Sequence, residues 1–255
     1  MKIKIKTILC MMAVWGSLLT ACNRSGFSIE GTLEGGAGKT LWLEEIAPEG
    51  PIFIDSIPLD GDGHFKYRYT PPYHSLYNLH TTDNNYIVTL PSDGEKIEIT
   101  GQWDNLSATY MVKGSAESAL LWQLQQYTND GSKILMALVD SVNHCDAMLA
   151  AGNIDNATYD KLKEGLDSIY HVTYMEQHEY VCRFVEENAG SLTTLIALYK
   201  PFNNRALIDP RDPVSIEYFD MVLEGLQRDL PDNPHTLHFK NTTEHLRSAL
   251  AREQE

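Results

Sequence analysis

Two cysteines, and the histidines that precede one of them, are the side chains best suited to chemistry in this sequence. Cys145 and Cys182 could exchange disulfides with a redox partner or pair with each other. On a helix His171, His178 and Cys182 share one face, and the last two could chelate a metal at i, i+4 spacing. The sequence offers no fourth ligand in register, so we predict no metal site.

The spacing of the two cysteines argues against a disulfide between them. If residues 117–150 and 156–189 form a helical hairpin that turns near Asn153, Cys145 faces roughly residue 161. Cys182 then lies about 30 Å further along, at 1.5 Å per residue, whereas a disulfide needs Cα atoms within about 7 Å. We favour two separate buried thiols. The alternative is that the first helix breaks at Asn129–Gly131 and folds back, which would bring the two cysteines close enough for a disulfide.

Other catalytic or ligand-binding patterns are incomplete. Asp60–Gly63 lacks the later ligands of a calcium loop and is better suited to a hairpin turn. Gly35–Thr40 lacks the spacing of a phosphate loop and leads into a strand rather than a helix. His235 and His238 flank a proline-rich turn and are weaker metal candidates still. We therefore predict no catalytic residues and no cofactor, and expect a protein that is not an enzyme.

The N-terminus has the order of a secretory signal. Lys2, Lys4 and Lys6 precede a mostly apolar run, Thr7–Leu19, which is followed by the small residue Ala21. A bilayer-spanning helix needs about 20 apolar residues, so this run is too short to serve as one. We predict that residues 1–21 are a signal peptide and are removed.

The end of this segment, Leu19–Cys22, resembles the bacterial lipobox. The resemblance implies cleavage between Ala21 and Cys22 and lipidation of Cys22, followed by a lipid-anchored linker over residues 22–26. The alternative is an ordinary signal peptide with an incidental cysteine. Several acyl chains would hold the protein on a membrane stably. Because no acidic run follows Cys22, as it does in surface-exported lipoproteins of Bacteroidota, we expect a periplasm-facing protein of the cell envelope, on the outer rather than the inner membrane.

The charge of the chain limits its partners. The 255 residues carry a formal net charge of −15, and loss of residues 1–21, with three lysines and no acid, would leave 234 residues at −18. Such a surface repels nucleic-acid phosphates and anionic lipid headgroups. We exclude nucleic acid as a partner and attribute membrane contact to the lipid.

The periodicity of the sequence changes once, near Gly114. Residues 27–114 alternate with a period of two and contain turn residues every few positions, which predicts about eight strands in an antiparallel sandwich or barrel. Residues 115–255 follow helical spacing. Ser115 and Asp155 or Asn156 are helix-start signals, and a last helix is expected over about 242–252, after Pro231 and Pro234 end the preceding one. The fold class predicted is α+β, with an all-helical C-terminal region.

The β half also resembles a domain of unknown function found in Bacteroidota lipoproteins, often ahead of a thioredoxin-like thiol–disulfide oxidoreductase domain. The resemblance rests on short segments in order: Phe27–Gly31, Leu41–Leu43, Ile54–Ser56, Gly63–Phe65, Ile97–Gly101, Val112–Ser115, and Glu186–Ser191 in the helical half. The Trp-Cys-x-x-Cys motif of the redox domain is absent, so the resemblance assigns no redox chemistry to any residue here.

Three serines follow an aspartate and precede an apolar residue. Ser56, Ser141 and Ser168 thereby resemble the Asp-Ser/Thr-apolar acceptor of Bacteroidota O-glycosylation. The resemblance implies that at least one of them is modified.

Two functions from different classes remain. The first is a binding or accessory lipoprotein that presents its surface to a periplasmic protein partner without catalysis. The second is a component of a thiol–disulfide pathway that uses Cys145 or Cys182 with a thioredoxin-like partner. We favour the first; a hydrolase ranks third, because no nucleophile can be named.

Overall fold

The computed structural model describes residues 26–82 and 85–253. The N-terminal half contains the eight strands expected from the alternating pattern. They are β1 (Phe27–Glu34), β2 (Thr40–Ala47), β3 (Gly50–Pro58), β4 (His64–Tyr69), β5 (Tyr77–Thr82), β6 (Asn85–Thr89), β7 (Lys96–Gln102) and β8 (Met111–Lys113).

The strands form two four-stranded sheets, with the orders β4-β1-β7-β8 and β3-β2-β5-β6. The inner faces of both sheets supply one core, as in a sandwich, and neither sheet closes into a barrel. Pairing is antiparallel except between β1 and β7, which run parallel with Ile29 opposite Ile97. The prediction of a purely antiparallel arrangement is wrong at this pair, because alternation specifies which face is buried and carries no information on strand direction.

A 3-10 turn over Trp103–Asn105 and a short helix, α1 (Leu106–Thr109), link β7 to β8. The alternating pattern of residues 27–114 predicts a last strand over about residues 108–112, and the structure instead places a helical turn at residues 106–109 and the strand at 111–113. Trp103 and Leu106 are buried in the sandwich core, so this segment packs its apolar side chains inward without joining a sheet.

The C-terminal half contains five helices within the described residues. They are α2 (Ala116–Ala150), α3 (Asn156–Asn188), α4 (Thr193–Leu198), α5 (Ile216–Asp229) and α6 (Pro234–Glu253). The half is not all helical, because β9 (Pro201–Phe202) and β10 (Arg205–Ala206) form a small hairpin. Asn203 and Asn204 occupy its turn with φ of 50° and 59°, a conformation that asparagine tolerates better than most residues.

Side-chain caps start the two longest helices at the residues expected. The Ser115 hydroxyl accepts a hydrogen bond from the Ser118 backbone N–H at 3.2 Å, and the Asp155 carboxylate accepts one from Thr158 at 2.8 Å. Helix α2 runs without interruption through Gly131, where a break was considered. A Cβ on this glycine would lie 2.5 Å from the Gln177 side chain, so Gly131 allows close approach of α2 and α3.

Helix α6 begins eight residues earlier than predicted. The Asn233 side chain accepts a hydrogen bond from the His235 backbone N–H at 2.9 Å, and Pro234 occupies the first helical position, where its missing N–H costs nothing. A proline after a helix was interpreted as a stop signal, whereas here it also starts the next helix.

The helical core extends into the β half. Leu76 and Leu90, which lie in the β half, are buried in the same cluster as Leu121, Val185 and Phe219 of the helices. Ser115 strengthens this contact, since its hydroxyl donates to the Leu90 carbonyl. Among the described residues, none of the helices has the length and apolar character needed to cross a membrane.

Candidate functional site

The distal halves of α2 and α3 form what we call the arm, residues 132–150 and 156–172. Its α2 part is about 28 Å long, at 1.5 Å per residue. Leu138 and Cys145 are the buried apolar residues of the arm, whereas the proximal halves of the same helices bury Leu121, Leu124 and a run of residues around Val181. A helix pair with so small a core gains little from its own packing.

The arm exposes several large apolar side chains. Met136 is 69% exposed and Val172 is 53% exposed. The exposed large apolar residues of the arm are Ile134, Met136, Val139, Leu162, Ile169 and Val172. A set of this size on one pair of helices is typical of a protein-interaction surface.

An open groove of about 860 Å³ lies along one side of the arm, between the two helices. Cys145 and Met148 line it from α2, and Leu162, Gly165 and Ile169 line it from α3. The groove carries opposite charges at its two walls, with Asp140 on α2 and Lys161 on α3 lining it as well.

Gly165 stands out among the helical glycines. Glycine inside a helix costs about 1 kcal/mol relative to alanine, and a packing reason is normally visible. At Gly131 and Gly225 a Cβ would collide with Gln177 and with the Ala189 backbone, but at Gly165 a Cβ would meet no atom within 4 Å. Nothing in the described chain fills the space that this residue leaves open.

The two cysteines are free and buried, in different surroundings. Cys145 lies in the arm, where it lines the groove. Cys182 belongs to the helical core, where burial raises the pKa of its thiol. The uninterrupted α2 removes the folded-back arrangement that would have allowed a disulfide between them.

The structure brings His178 and Cys182 together but leaves His171 exposed. The Cys182 sulfur lies 3.7 Å from Nε2 of His178, while Nδ1 of the same ring lies 2.7 Å from the Leu207 carbonyl and donates to it. Nδ1 of His178 therefore makes a structural hydrogen bond, and the Cys182 thiol is buried beside the same ring.

At the turn between β3 and β4, three exposed side chains lie close enough together to hold a metal ion. They are Asp60, Asp62 and His64. Oδ1 of Asp60 accepts hydrogen bonds from the backbone N–H groups of His64 and Asp62, both at 2.9 Å, and these bonds lower the pKa of the carboxyl group. The aspartate therefore stabilises the hairpin turn that was expected here.

A buried polar cluster joins the sheets to α6. The Ser75 hydroxyl donates to Oε1 of Glu45 at 2.8 Å, and Nε2 of His235 lies 2.9 Å from the same hydroxyl, to which it donates. All three side chains are buried, and burial lowers the pKa of His235 to about 4, against the opposing influence of Glu45. Because Ser75 is fully inaccessible and gives its proton to a carboxylate, it cannot act as a hydrolytic nucleophile on an external substrate.

A second chain of contacts runs beside this cluster. The Asn233 amide donates to the His74 carbonyl at 2.7 Å, and the His74 ring lies 2.9 Å from Glu117 of α2. Ser191 donates to the other oxygen of Glu117 at 2.6 Å. Sequence reasoning missed both sets, because the participants lie in five different segments and only the fold brings them together.

The remaining predicted site residues fall into two groups. Ser56 and Ser168 are exposed, while Ser141 lines the groove and donates to the Ala137 carbonyl. Their glycosylation stays a prediction. Ala21 and Cys22 lie outside the described residues, so cleavage and lipidation stay predictions as well.

Residues 27–121 match the model of a family described as a domain of unknown function, DUF4369. The matched segment contains all eight strands of the two sheets and ends in the first turns of α2. The expected β domain of unknown function is thereby confirmed. The arm and the other helices lie beyond the DUF4369 segment, and no curated protein and no solved structure matches the chain.

Proposed function

We propose that this protein is a lipid-anchored binding module of the cell envelope and that the arm is its partner-binding surface. The observation that carries the proposal is Gly165. A helical glycine with empty space above its Cα, on the floor of an apolar groove, has no role within the described chain. It acquires one if another backbone approaches closely at this point.

The occupant that fits the groove is an amphipathic helix of a periplasmic protein. A groove between two helices accepts the ridge of a third, with apolar side chains at i, i+3, i+4 and i+7. Asp140 and Lys161 lie on opposite walls, so the bound helix should carry basic residues along one edge and acidic residues along the other. The DUF4369 sheets and the core they share with the helices would serve as the rigid base of the arm.

The location of the module rests on the N-terminal sequence. The proposed signal peptide would direct export and then be removed, and the lipid on Cys22 would hold the protein at the outer membrane, facing the periplasm. In that position the arm is available to a soluble or a membrane-bound partner.

The thiol–disulfide pathway is the second candidate, and the position of Cys145 in the groove favours it, because a docked oxidoreductase would lie beside this thiol. Both thiols are buried, however, and a raised pKa reduces the thiolate fraction of Cys182. Alkylation of the folded protein separates the two functions. A component of a thiol–disulfide pathway must contain at least one cysteine that changes between thiol and disulfide in cells. If both thiols stay reduced and unreactive, the redox function is rejected and the binding function is retained.

Site-specific photo-crosslinking tests the arm. A photoreactive amino acid at Leu162, in the groove, should give one discrete adduct in intact cells, and the same residue at Val214, 69% exposed but far from the arm in sequence, should not. Loss of the Leu162 adduct when Gly165 is replaced by leucine supports the proposal, since the bulky side chain fills the groove. An adduct of twice the mass of the protein would instead identify a second copy as the occupant, and equal yields at both positions would reject the arm as a specific surface.

A further inference from the structure

A second cavity, of about 170 Å³, lies where the edge strand β6 meets α2 and α4. Its apolar lining includes Ile87, Leu121 and Ile196, from one strand and two helices. Two polar side chains, Lys200 and Gln125, complete its wall at the helical side. The cavity is separate from the arm and from the Ser75 cluster.

Lys200 contributes a cation to this cavity. Its Nζ donates one hydrogen bond, at 2.7 Å, to the neutral Oε1 of Gln125. Among the described residues no carboxylate lies within ion-pair distance of it, although the chain has 35 acidic residues against 20 basic ones. Lys200 is half-buried, and an ammonium group partly withdrawn from water is stabilised by a charged or strongly polar partner, so this arrangement leaves it poorly compensated.

Tyr110 adds a second unused polar group. It lines the cavity, and its ring is buried. In the part of the chain that the structure describes, its hydroxyl makes no hydrogen bond, and burial alone raises its pKa. Burial also lowers the pKa of Lys200, to about 8. At neutral pH the cavity therefore combines a positive charge, a neutral hydroxyl donor and apolar walls.

We propose that this cavity binds a short-chain monocarboxylic acid, with its carboxylate on the Lys200 ammonium and its alkyl chain against Ile87, Leu121 and Ile196. A single cation with one hydroxyl suits a monoanion, whereas phosphate or a dicarboxylate would need more donors. The volume equals about five or six waters, at about 30 Å³ each, which limits the ligand to a short chain. Apolar walls with one charged group that fixes orientation are typical of small-molecule sites.

The affinity for a carboxylate must depend on pH. Lys200 is charged below its pKa of about 8, and a straight-chain carboxylic acid is mostly ionised above about pH 5, so affinity is greatest between these values. Affinity should fall by about tenfold or more from pH 7 to pH 9.5 as the ammonium loses its proton. The other titratable groups that line the cavity are Tyr86 and Tyr110. Burial raises the pKa of Tyr110, so its hydroxyl stays neutral in this range.

Calorimetric titration of the chain from residue 23 onward with straight-chain acids, from acetate to octanoate, tests the proposal. The expected result is saturable binding that peaks at an intermediate chain length and weakens at least tenfold in Lys200→Met. Lys240→Met, which removes an exposed lysine of α6, is the matched control and should bind as the unsubstituted protein does. Binding that survives in Lys200→Met, or no binding of any acid at 10 mM, would overturn the inference.

A second measurement keeps the test independent of the fold of Lys200→Met. With ¹³C-methylated lysines, the Lys200 resonance, assigned by its absence in Lys200→Arg, should titrate near pH 8 in the free protein. It should titrate at higher pH with a saturating acid. An unchanged titration would contradict the proposal. Because the arm takes no part in this site, either proposal can fail without the other.

Discussion

At the scale of single residues, the fold decides the chemistry that each polar side chain can perform. Ser75 and His235 are within hydrogen-bond distance, as in a hydrolase, yet the hydroxyl is buried and its proton points to Glu45. His235 was expected to flank a proline-rich turn, and the structure places it in the first turn of α6, where it is buried. Sequence reasoning could not have identified this contact, because the partner of His235, Ser75, lies 160 residues away in the chain.

The buried His235 should make stability depend on pH. Burial lowers its pKa to about 4, against about 6.5 in an unfolded chain. Between these values the unfolded state binds more protons, so its contribution is complete above pH 6.5 and is lost as pH falls toward 4. The loss amounts to about 3 kcal/mol at most, from 1.36 kcal/mol per pKa unit. Urea unfolding at pH 7.0 and pH 5.0 should show this dependence.

His235→Gln should flatten the dependence in that window, and replacement of the exposed His171 by glutamine should leave it unchanged. An equal slope in the two variants would mean that other groups account for the effect.

At the scale of elements, the hairpin of α2 and α3 has two different halves. The proximal half packs into the helical core, and the distal half, the arm, buries little. Periodicity and caps predict both helices well, because a cap such as Ser115 or Asp155 acts on backbone groups within one turn. They do not predict which half of a helix finds a partner within the chain.

Gly165→Ala separates the stability of the arm from its proposed function. We expect a gain of up to about 1 kcal/mol in the free energy of unfolding, because the new methyl group meets no atom and alanine favours a helix. We expect weaker crosslinking from Leu162 at the same time. Chemical denaturation and the crosslinking yield measure the two effects.

Gly131→Ala is the matched control in the facing helix. Its methyl group would lie 2.5 Å from the buried Gln177 side chain, which donates to the Tyr127 carbonyl, so this variant should lose stability. If both alanine variants lose stability, Gly165 has a structural role and the argument from the groove fails.

At the scale of the whole molecule, two cores share one chain, and the helical core takes Leu76 and Leu90 from the β half. The DUF4369 match ends in α2, whereas the packing continues past that point into the remaining helices. The proposed anchor would add a third part, which joins this rigid body to a membrane through the segment before residue 27.

Cys22→Ala should release the protein from the membrane. The variant would lack the thiol that receives the lipid, so it should appear in the soluble envelope fraction or remain unprocessed, whereas the native protein should sediment with membranes. Cys10→Ala, in the segment proposed to be removed, is the control and should behave as the native protein does. Full membrane association of processed Cys22→Ala protein would refute the lipid anchor.

The sequence alone determined the division into a strand-rich half and a helical half, the eight strands and the starts of α2 and α3. These features depend on side-chain alternation and on caps within a few residues. Only the tertiary structure decided that β1 lies parallel to β7 and that, among the described residues, Lys200 has no acid beside it. Each of these depends on which distant segments meet, and local pattern does not encode the partners of a buried surface.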